Sequence, residues 1–261
     1  MIALVTGASS GIGEATARRI AREPGAKLVL AARREDRLRT LADELGGATV
    51  IAADLTTDEA PERVARAVED EHGRLDLLVN NAGAAWRGRF GEAGWENVRR
   101  HMEINFDATV RLTAALLPIL RRSAPSAIVN VASTAARVAR GNSGAYSASK
   151  FALAGWSDAL HLEERPHGVH VGLVLPGFVA TEGFPQRELR ERAATRWLVS
   201  KPEKVAEAIL DAGPGGKAER FVPRAYWLAS ALRVVAPRLL RRVLAGGGAA
   251  MTPATSADSQ T

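Results

Sequence analysis

The sequence predicts an α/β protein: one doubly wound parallel sheet with helices on both faces, in a single domain. Three observations predict it. Short runs rich in Val, Leu and Ile alternate with longer amphipathic stretches, the pattern of repeated strand–helix units. With 261 residues, 46% apolar and 25% charged, the chain has ordinary globular composition and is long enough to bury a core of its own. A glycine-rich turn follows the first apolar run directly, and a helical pattern opens behind it.

Taken in order, strands are expected over residues 2–5, 27–31, 49–52, 75–79, 127–131 and 170–175. Each is short, apolar and set between polar or glycine-bearing stretches. Helices are expected between them over 13–22, 34–45, 61–71, 95–120, 146–164 and 201–210, where apolar residues recur at helical spacing. The run Met1-Ile2-Ala3-Leu4-Val5 lacks the charged leader and cleavage site of a secretory signal, so it reads as the first strand. No uncharged apolar stretch reaches the ~18 residues of a membrane span. Residues 1–210 are expected to form the dinucleotide-binding and catalytic domain. Residues 211–244 are expected to be an extension packed on the domain or on a subunit interface, and the Gly/Ala then Ser/Thr tail 245–261 is expected to be flexible.

Zero cysteines exclude disulfides, thiolate metal sites and a cysteine nucleophile, and fit a reducing compartment, with the cytoplasm as the default. Thirty of the 35 cations are arginine and the net charge is +6, yet no basic block with interleaved aromatics points to nucleic acid.

The turn Thr6-Gly7-Ala8-Ser9-Ser10-Gly11-Ile12-Gly13 carries the first chemistry. Glycine permits positive φ and lets a phosphate approach the backbone, while a helix start offers free N–H groups and a positive dipole end. A dinucleotide is the natural ligand, held by Gly7, Ser9, Ser10, Gly11, Ile12 and Gly13, which makes the fold Rossmann-type. A tight strand-to-helix turn with no ligand is the alternative. About 20 residues on, where an acid would bind the ribose of NAD, stand Arg33 and Arg34. Arginine there suits the 2′-phosphate of NADP, so NADP is preferred to NAD. The alternative is a solvated helix start with Glu35 and Asp36.

Tyr146 and Lys150 lie four apart at the opening of a helix and so share a face. A phenol titrates near pH ~10, and a neighbouring ammonium favours the phenolate, so Lys150 is expected to make Tyr146 more acidic. Lys150 is also the single lysine between Lys27 and Lys201, in a stretch full of arginine. An exposed helical pair without function is the alternative.

These motifs together resemble those of the short-chain dehydrogenase/reductase family, over about residues 1 to 210. The resemblance runs through the glycine turn, Asp54-Leu55, Asn80-Asn81-Ala82-Gly83, Asn105, Ser133, Tyr146-Ser147-Ala148-Ser149-Lys150 and Pro176-Gly177. It implies that Tyr146 is the general acid/base, that Lys150 binds the nicotinamide ribose, that Ser133 orients the substrate oxygen and that Asn105 supports a proton-relay water. It also implies that Asp54 and Leu55 meet the adenine, that Asn81, Ala82 and Gly83 line the adenosine and ribose path, and that Pro176, Gly177, Val179 and Thr181 hold the carboxamide. A plain turn at 80–83 and a capping role for Asp54 are the bland readings. The resemblance implies a homodimer or homotetramer built through the helices over 95–120 and 146–164.

The expected function is NADP-dependent hydride transfer between nicotinamide and a hydrophobic carbonyl or secondary alcohol. A non-catalytic dinucleotide sensor and a C=C reductase of the same fold are alternatives. No metal is expected: His167 and His170 fall on a loop and a strand start, and His72, His101 and His161 are scattered surface or packing residues. Substrate choice should lie in loops 83–94, 137–144 and 181–200, the last carrying Phe184, Trp197 and Leu198.

Beyond residue 210 the chain departs from the family's shorter reductases, lacking a glycine-rich terminal strand. Residues 226–244 mix Trp227, leucines and arginines and offer peripheral membrane contact. Against this, Arg233, Arg238, Arg241 and Arg242 spread over half of a helix circumference, and Pro237 should break it.

Overall fold

The computed structural model describes residues 1–182 and 199–247. Phe184, Trp197 and Leu198 lie outside the described residues, as does the tail beyond 247. The first half runs β1 (Ile2–Thr6), α1 (Gly11–Ile20), β2 (Lys27–Ala32), α2 (Glu35–Glu44), β3 (Thr49–Ala52), α3 (Ala60–His72) and β4 (Leu77–Asn80). It continues through α4 (Phe90–Met102), a π-helical turn (Glu103–Asp107), α5 (Ala108–Arg122), β5 (Ser126–Val131), α6 (Gly144–Glu164) and β6 (Val169–Pro176). Two short strands, β7 (Phe178–Val179) and β8 (Val199–Ser200), are followed by α7 (Pro202–Ala212), β9 (Glu219–Val222), α8 (Tyr226–Val235) and α9 (Pro237–Gly247).

The main sheet has the order β3-β2-β1-β4-β5-β6-β9, every pair parallel. Both faces are covered, as an all-parallel sheet requires. Alternate residues of each strand face opposite sides, so Val5, Leu30, Leu77 and Val129 pack with Ala17, Ile20 and Ile209 on one face. On the other face Leu4, Val29, Leu78 and Ile128 pack with Val64, Leu112 and Leu116. The winding reverses between β1 and β4, and the strand ends beside that reversal open a crevice for ligands. A buried polar strut stiffens its floor: Asn80 Nδ2 donates to Asn130 Oδ1 at 2.9 Å, and Asn130 Nδ2 donates to Ser157 Oγ at 2.8 Å.

Two expectations need correction. Residues 95–120 are helical throughout, as expected, but not as one plain α-helix. The segment starts at Phe90, bends at Gly94 (φ 61°, ψ −164°) and widens into the π turn before α5 begins. The cause is local, since glycine accepts that backbone region at no steric cost and an extra residue in the turn needs the wider helix. The sheet also gains a seventh strand from the stretch expected only to pack on it: β9 pairs with β6 from Leu173↔Glu219 to Pro176↔Val222. Glu219 and Arg220 hid it, because an edge strand tolerates charges that a central strand excludes. As Pro237 predicts, 226–244 forms two helices, separated at Ala236 ahead of the proline. The proline cannot donate into the preceding turn and forces its neighbour out of helical geometry.

Candidate active site

The crevice begins at the glycine turn. Gly7 holds φ at 65° and donates its N–H to Ala31 O at 2.8 Å, fastening the turn to β2. A Cβ on Gly13 would lie 2.2 Å from Gly7 O, so α1 can approach the turn this closely only with glycine there. Ser10 caps α1 in extended geometry, and its side chain does not bond the helix N–H groups. Those groups are left to a ligand, and the residues present fit a dinucleotide pyrophosphate. Ser9, Gly11 and Ile12 complete the turn. Thr181, just after β7, leans over Gly11, its Cγ2 3.1 Å from where a Cβ would be.

Along one rim, Arg34 reaches back across the turn and donates to Ser10 Oγ at 2.8 Å and Ser9 Oγ at 3.2 Å. Arg33 stands apart and acts on Asp54. Burial alone would raise the Asp54 carboxyl, but hydrogen bonds from the Thr56 N–H and hydroxyl and the Arg33 charge together hold it below its usual value. Asp54 Oδ1 closes a short turn on Thr56 at 3.0 and 2.7 Å, so it does not cap the following helix. Leu55 is buried beside it. Sequence reasoning missed a further rim contact, Arg37 Nη1 to Glu182 Oε2 at 2.5 Å, which ties α2 to the segment after Thr181. Arg37 follows Arg34 by one helical turn, the spacing that could have revealed it.

The opposite wall rises from β4. Asn81 donates from its main-chain N–H to Thr6 Oγ1 and from Nδ2 to Thr6 O, both at 2.9 Å, and Ala82 N–H shares the same hydroxyl at 3.0 Å. This clamps β4's end to β1. Gly83 sits 2.6 Å, measured from an ideal Cβ, below Asn105 Oδ1. Asn105 projects from the π turn, is fully buried and braces the loop: Oδ1 accepts from Ala84 N–H, and Nδ2 donates to Ala84 O and Ser149 Oγ. The inserted residue of the π turn is what rotates this side chain inward.

Ser133, Tyr146 and Lys150 meet in the centre. Ser133 follows β5 and donates to Pro176 O at 3.4 Å while accepting from Ala135 N–H at 3.1 Å. Lys150, one turn after Tyr146 on α6, is buried and donates to Val131 O at 3.0 Å. Its Nζ lies 6.0 Å from the centre of the Tyr146 ring. Burial pulls Lys150 down to about 8. Burial also pushes the Tyr146 phenol up, opposed by its hydrogen bond with Ser133. Sequence spacing predicts that Lys150 acidifies the phenol; here burial and the Ser133 hydrogen bond set its direction, and the ammonium faces the ring and Val131 O.

His101 was not expected in this company. It is fully buried, edge-on to Tyr146 at 6.2 Å and to Trp86 at 5.0 Å. Its Nδ1 faces Asn97 O at 2.6 Å and must donate, while Nε2 accepts from Trp86 N–H at 3.0 Å. Both nitrogens are engaged by the neutral ring, and burial holds the pKa down. Its spacing of one turn before Asn105 was the available signal. The other histidines lie elsewhere: His170 contacts Ala212 O, His161 contacts Val171 O, and His72 contacts Thr49. Among the described residues no cluster of three metal-ligating side chains occurs.

On the far side, Pro176 ends β6 and Gly177 donates to Val222 O at 2.8 Å, so β9 buttresses this wall. Val179 is buried in β7. Arg140, from the loop between Ser133 and Tyr146, lies over the Phe178 ring at 4.6 Å. The Tyr226 ring packs directly on Gly177, bringing the start of α8 to the edge of the crevice.

Comparison with known proteins agrees with this geometry. The family model described as short chain dehydrogenase matches residues 1–192. An uncharacterised oxidoreductase of Bacillus subtilis, YxnA, is 34% identical over 256 residues, which are 93% of this chain and 71% of that protein. A 3-dehydrosphinganine reductase of Danio rerio is 31% identical over 242 residues, 87% of this chain and 73% of its own. Among solved structures, the active-site complex of RhlG with NADP from Pseudomonas aeruginosa superimposes with a TM-score of 0.75 at 29% identity, covering 84% of this chain and 93% of that one.

Proposed function

The chain belongs to the short-chain dehydrogenase family, an oxidoreductase family that binds nicotinamide dinucleotides, and from that premise we propose that it uses NADP to interconvert a hydrophobic carbonyl compound and the matching secondary alcohol. The observation that carries this reading is the meeting of the Ser133 hydroxyl, the Tyr146 phenol and the buried Lys150 ammonium at the strand ends. When bound, the nicotinamide supplies or takes the hydride. Tyr146 gives its proton to the carbonyl oxygen as negative charge grows there, and Ser133 donates a hydrogen bond to that same oxygen. The raised phenol pKa suits this direction, because the proton is on Tyr146 when it is needed. Lys150 keeps one hydrogen bond to Val131 O and has further donors for a ribose hydroxyl. Asn105 holds the loop at Ala84, Asn81 and Gly83 border the ribose path, and Arg34 supplies charge for a 2′-phosphate. A pure dinucleotide sensor has no reason to bring the Ser133 hydroxyl to the Tyr146 phenol.

The NADP held by RhlG and the reductase activity named for the Danio rerio relative fit this reading. A screen of hydrophobic ketones, aldehydes and secondary alcohols supplies the substrate, and Tyr146→Phe then tests the role of the phenol. NADPH affinity should stay within about twofold while turnover falls by about a hundredfold to ten-thousandfold. Turnover within about threefold of wild type would remove Tyr146 from the reaction.

A further inference from the structure

The outward face of α8 carries no polar side chain. Trp227, Leu228, Ala231, Val234 and Val235 recur at the spacing of one helical stripe, and the four large ones are 53%, 58%, 79% and 77% exposed. Leu239 and Val243 prolong the stripe along α9, where the buried Leu240 anchors the helix. Arg233 faces the other way, lying 4.6 Å over the Phe151 ring and pinning α8 to α6. Exposed apolar surface gathered this way marks an interaction site.

The charges beside it say what the partner is. Elsewhere many arginines pair with carboxylates, as in Arg18 with Glu14 and Glu44, Arg111 with Asp58, and Arg121 with Glu164, and those of α3 and α4 share their helices with acidic residues. Residues 223–247 hold five arginines and no acid, and Arg224, Arg238, Arg241 and Arg242 are exposed, with no carboxylate partner among the described residues. A second copy docked through this face would set arginines against arginines. No described helix is long and apolar enough to cross a membrane.

We propose that α8 and α9 dock the protein on the surface of an anionic phospholipid bilayer. The apolar stripe of α8 enters the boundary between headgroups and acyl chains, and Arg238, Arg241 and Arg242 meet lipid phosphates. The break at Pro237 is what separates these two faces. On a single helix Arg238, Arg241 and Arg242 would fall among the residues of the apolar stripe, whereas the break lets α8 present its stripe free of them and leaves α9 with the cations beside Leu239 and Val243. Because Tyr226 packs on Gly177, this surface adjoins the crevice, so a lipophilic compound could pass from one to the other. The inference does not depend on the catalytic reading.

Flotation of the full chain with vesicles, in the absence of any substrate, tests it. Binding to phosphatidylcholine mixed with phosphatidylglycerol should be at least about tenfold tighter than to phosphatidylcholine alone, and should weaken with salt. The triple variant Arg238→Glu, Arg241→Glu, Arg242→Glu should lose that binding while keeping the wild-type melting curve and turnover. Val234→Asp with Val235→Asp should lose it independently. Three results would overturn the proposal: no flotation of wild type, equal flotation of wild type and the charge-reversed variant, or a wild-type dimer that Val234→Asp with Val235→Asp converts to monomer without any vesicle binding.

Discussion

Two cationic regions border the crevice and are built on opposite principles. Lys150 is buried, surrounded by packed side chains, and keeps a single hydrogen bond to Val131 O. Arg34 lies exposed across the glycine turn, spread over the hydroxyls of Ser9 and Ser10. The difference teaches which cation suits which task. A compact ammonium in a dry site is poised between charge states and presents several donors at one point, while a guanidinium keeps its charge in water and offers a flat fork to an anion. In a chain with thirty arginines and five lysines, the lysine stands where the guanidinium would be too large and too permanently charged.

The largest effect should come from removing the buried cation. Lys150→Met should abolish turnover, and it should also change how stability depends on pH. The sign follows from the direction of the shift. With its pKa lowered in the folded state, Lys150 is penalised for its charge below about pH 8, and the penalty fades as pH rises from 8 towards the unfolded value near 10.5. Wild type should therefore gain on Lys150→Met by about 2 kcal/mol between pH 7 and 9.5, read from urea unfolding of both proteins. A gap that stays constant with pH would mean that Lys150 is solvated in the folded protein. Tyr146 titrates in both proteins and drops out of the difference.

Arg34 should give a smaller and more selective effect. Arg34→Ala should weaken NADPH about tenfold or more and leave NADH within about twofold, as expected for one charge-assisted contact to a phosphate. Arg33→Ala should do less, since Arg33 works on Asp54. Equal losses for NADPH and NADH would show that Arg34 braces the turn through Ser9 and Ser10 and does not read the 2′-phosphate. Titration of each variant with both coenzymes separates the two.

What could be read from the sequence divides along the same physical line. Local signals were legible: the glycine turn, the strands through β6, and the four-residue spacing of Tyr146 and Lys150 each depend on neighbours in the chain. What was not legible depends on contacts between distant segments. The π turn that aims Asn105 at Ala84 leaves little trace in hydrophobic period. His101 looks like any scattered histidine until α4 is laid beside α6 and its ring meets Tyr146. The direction of the Tyr146 shift needed the depth of the site, which chain spacing does not report. The strand β9 was hidden by Glu219 and Arg220, whereas the break at Pro237 was legible and only the exposure of the α8 stripe was not.

In the proposed reaction hydride passes between nicotinamide and a carbonyl carbon beside Tyr146. This transfer is tested most directly by running the reaction with NADPH deuterated at C4 of the nicotinamide and locating the label in the product. One deuterium should appear on the new carbinol carbon, transferred from one face of the ring. Deuterium on a carbon next to an intact carbonyl, or a product free of label, would contradict it.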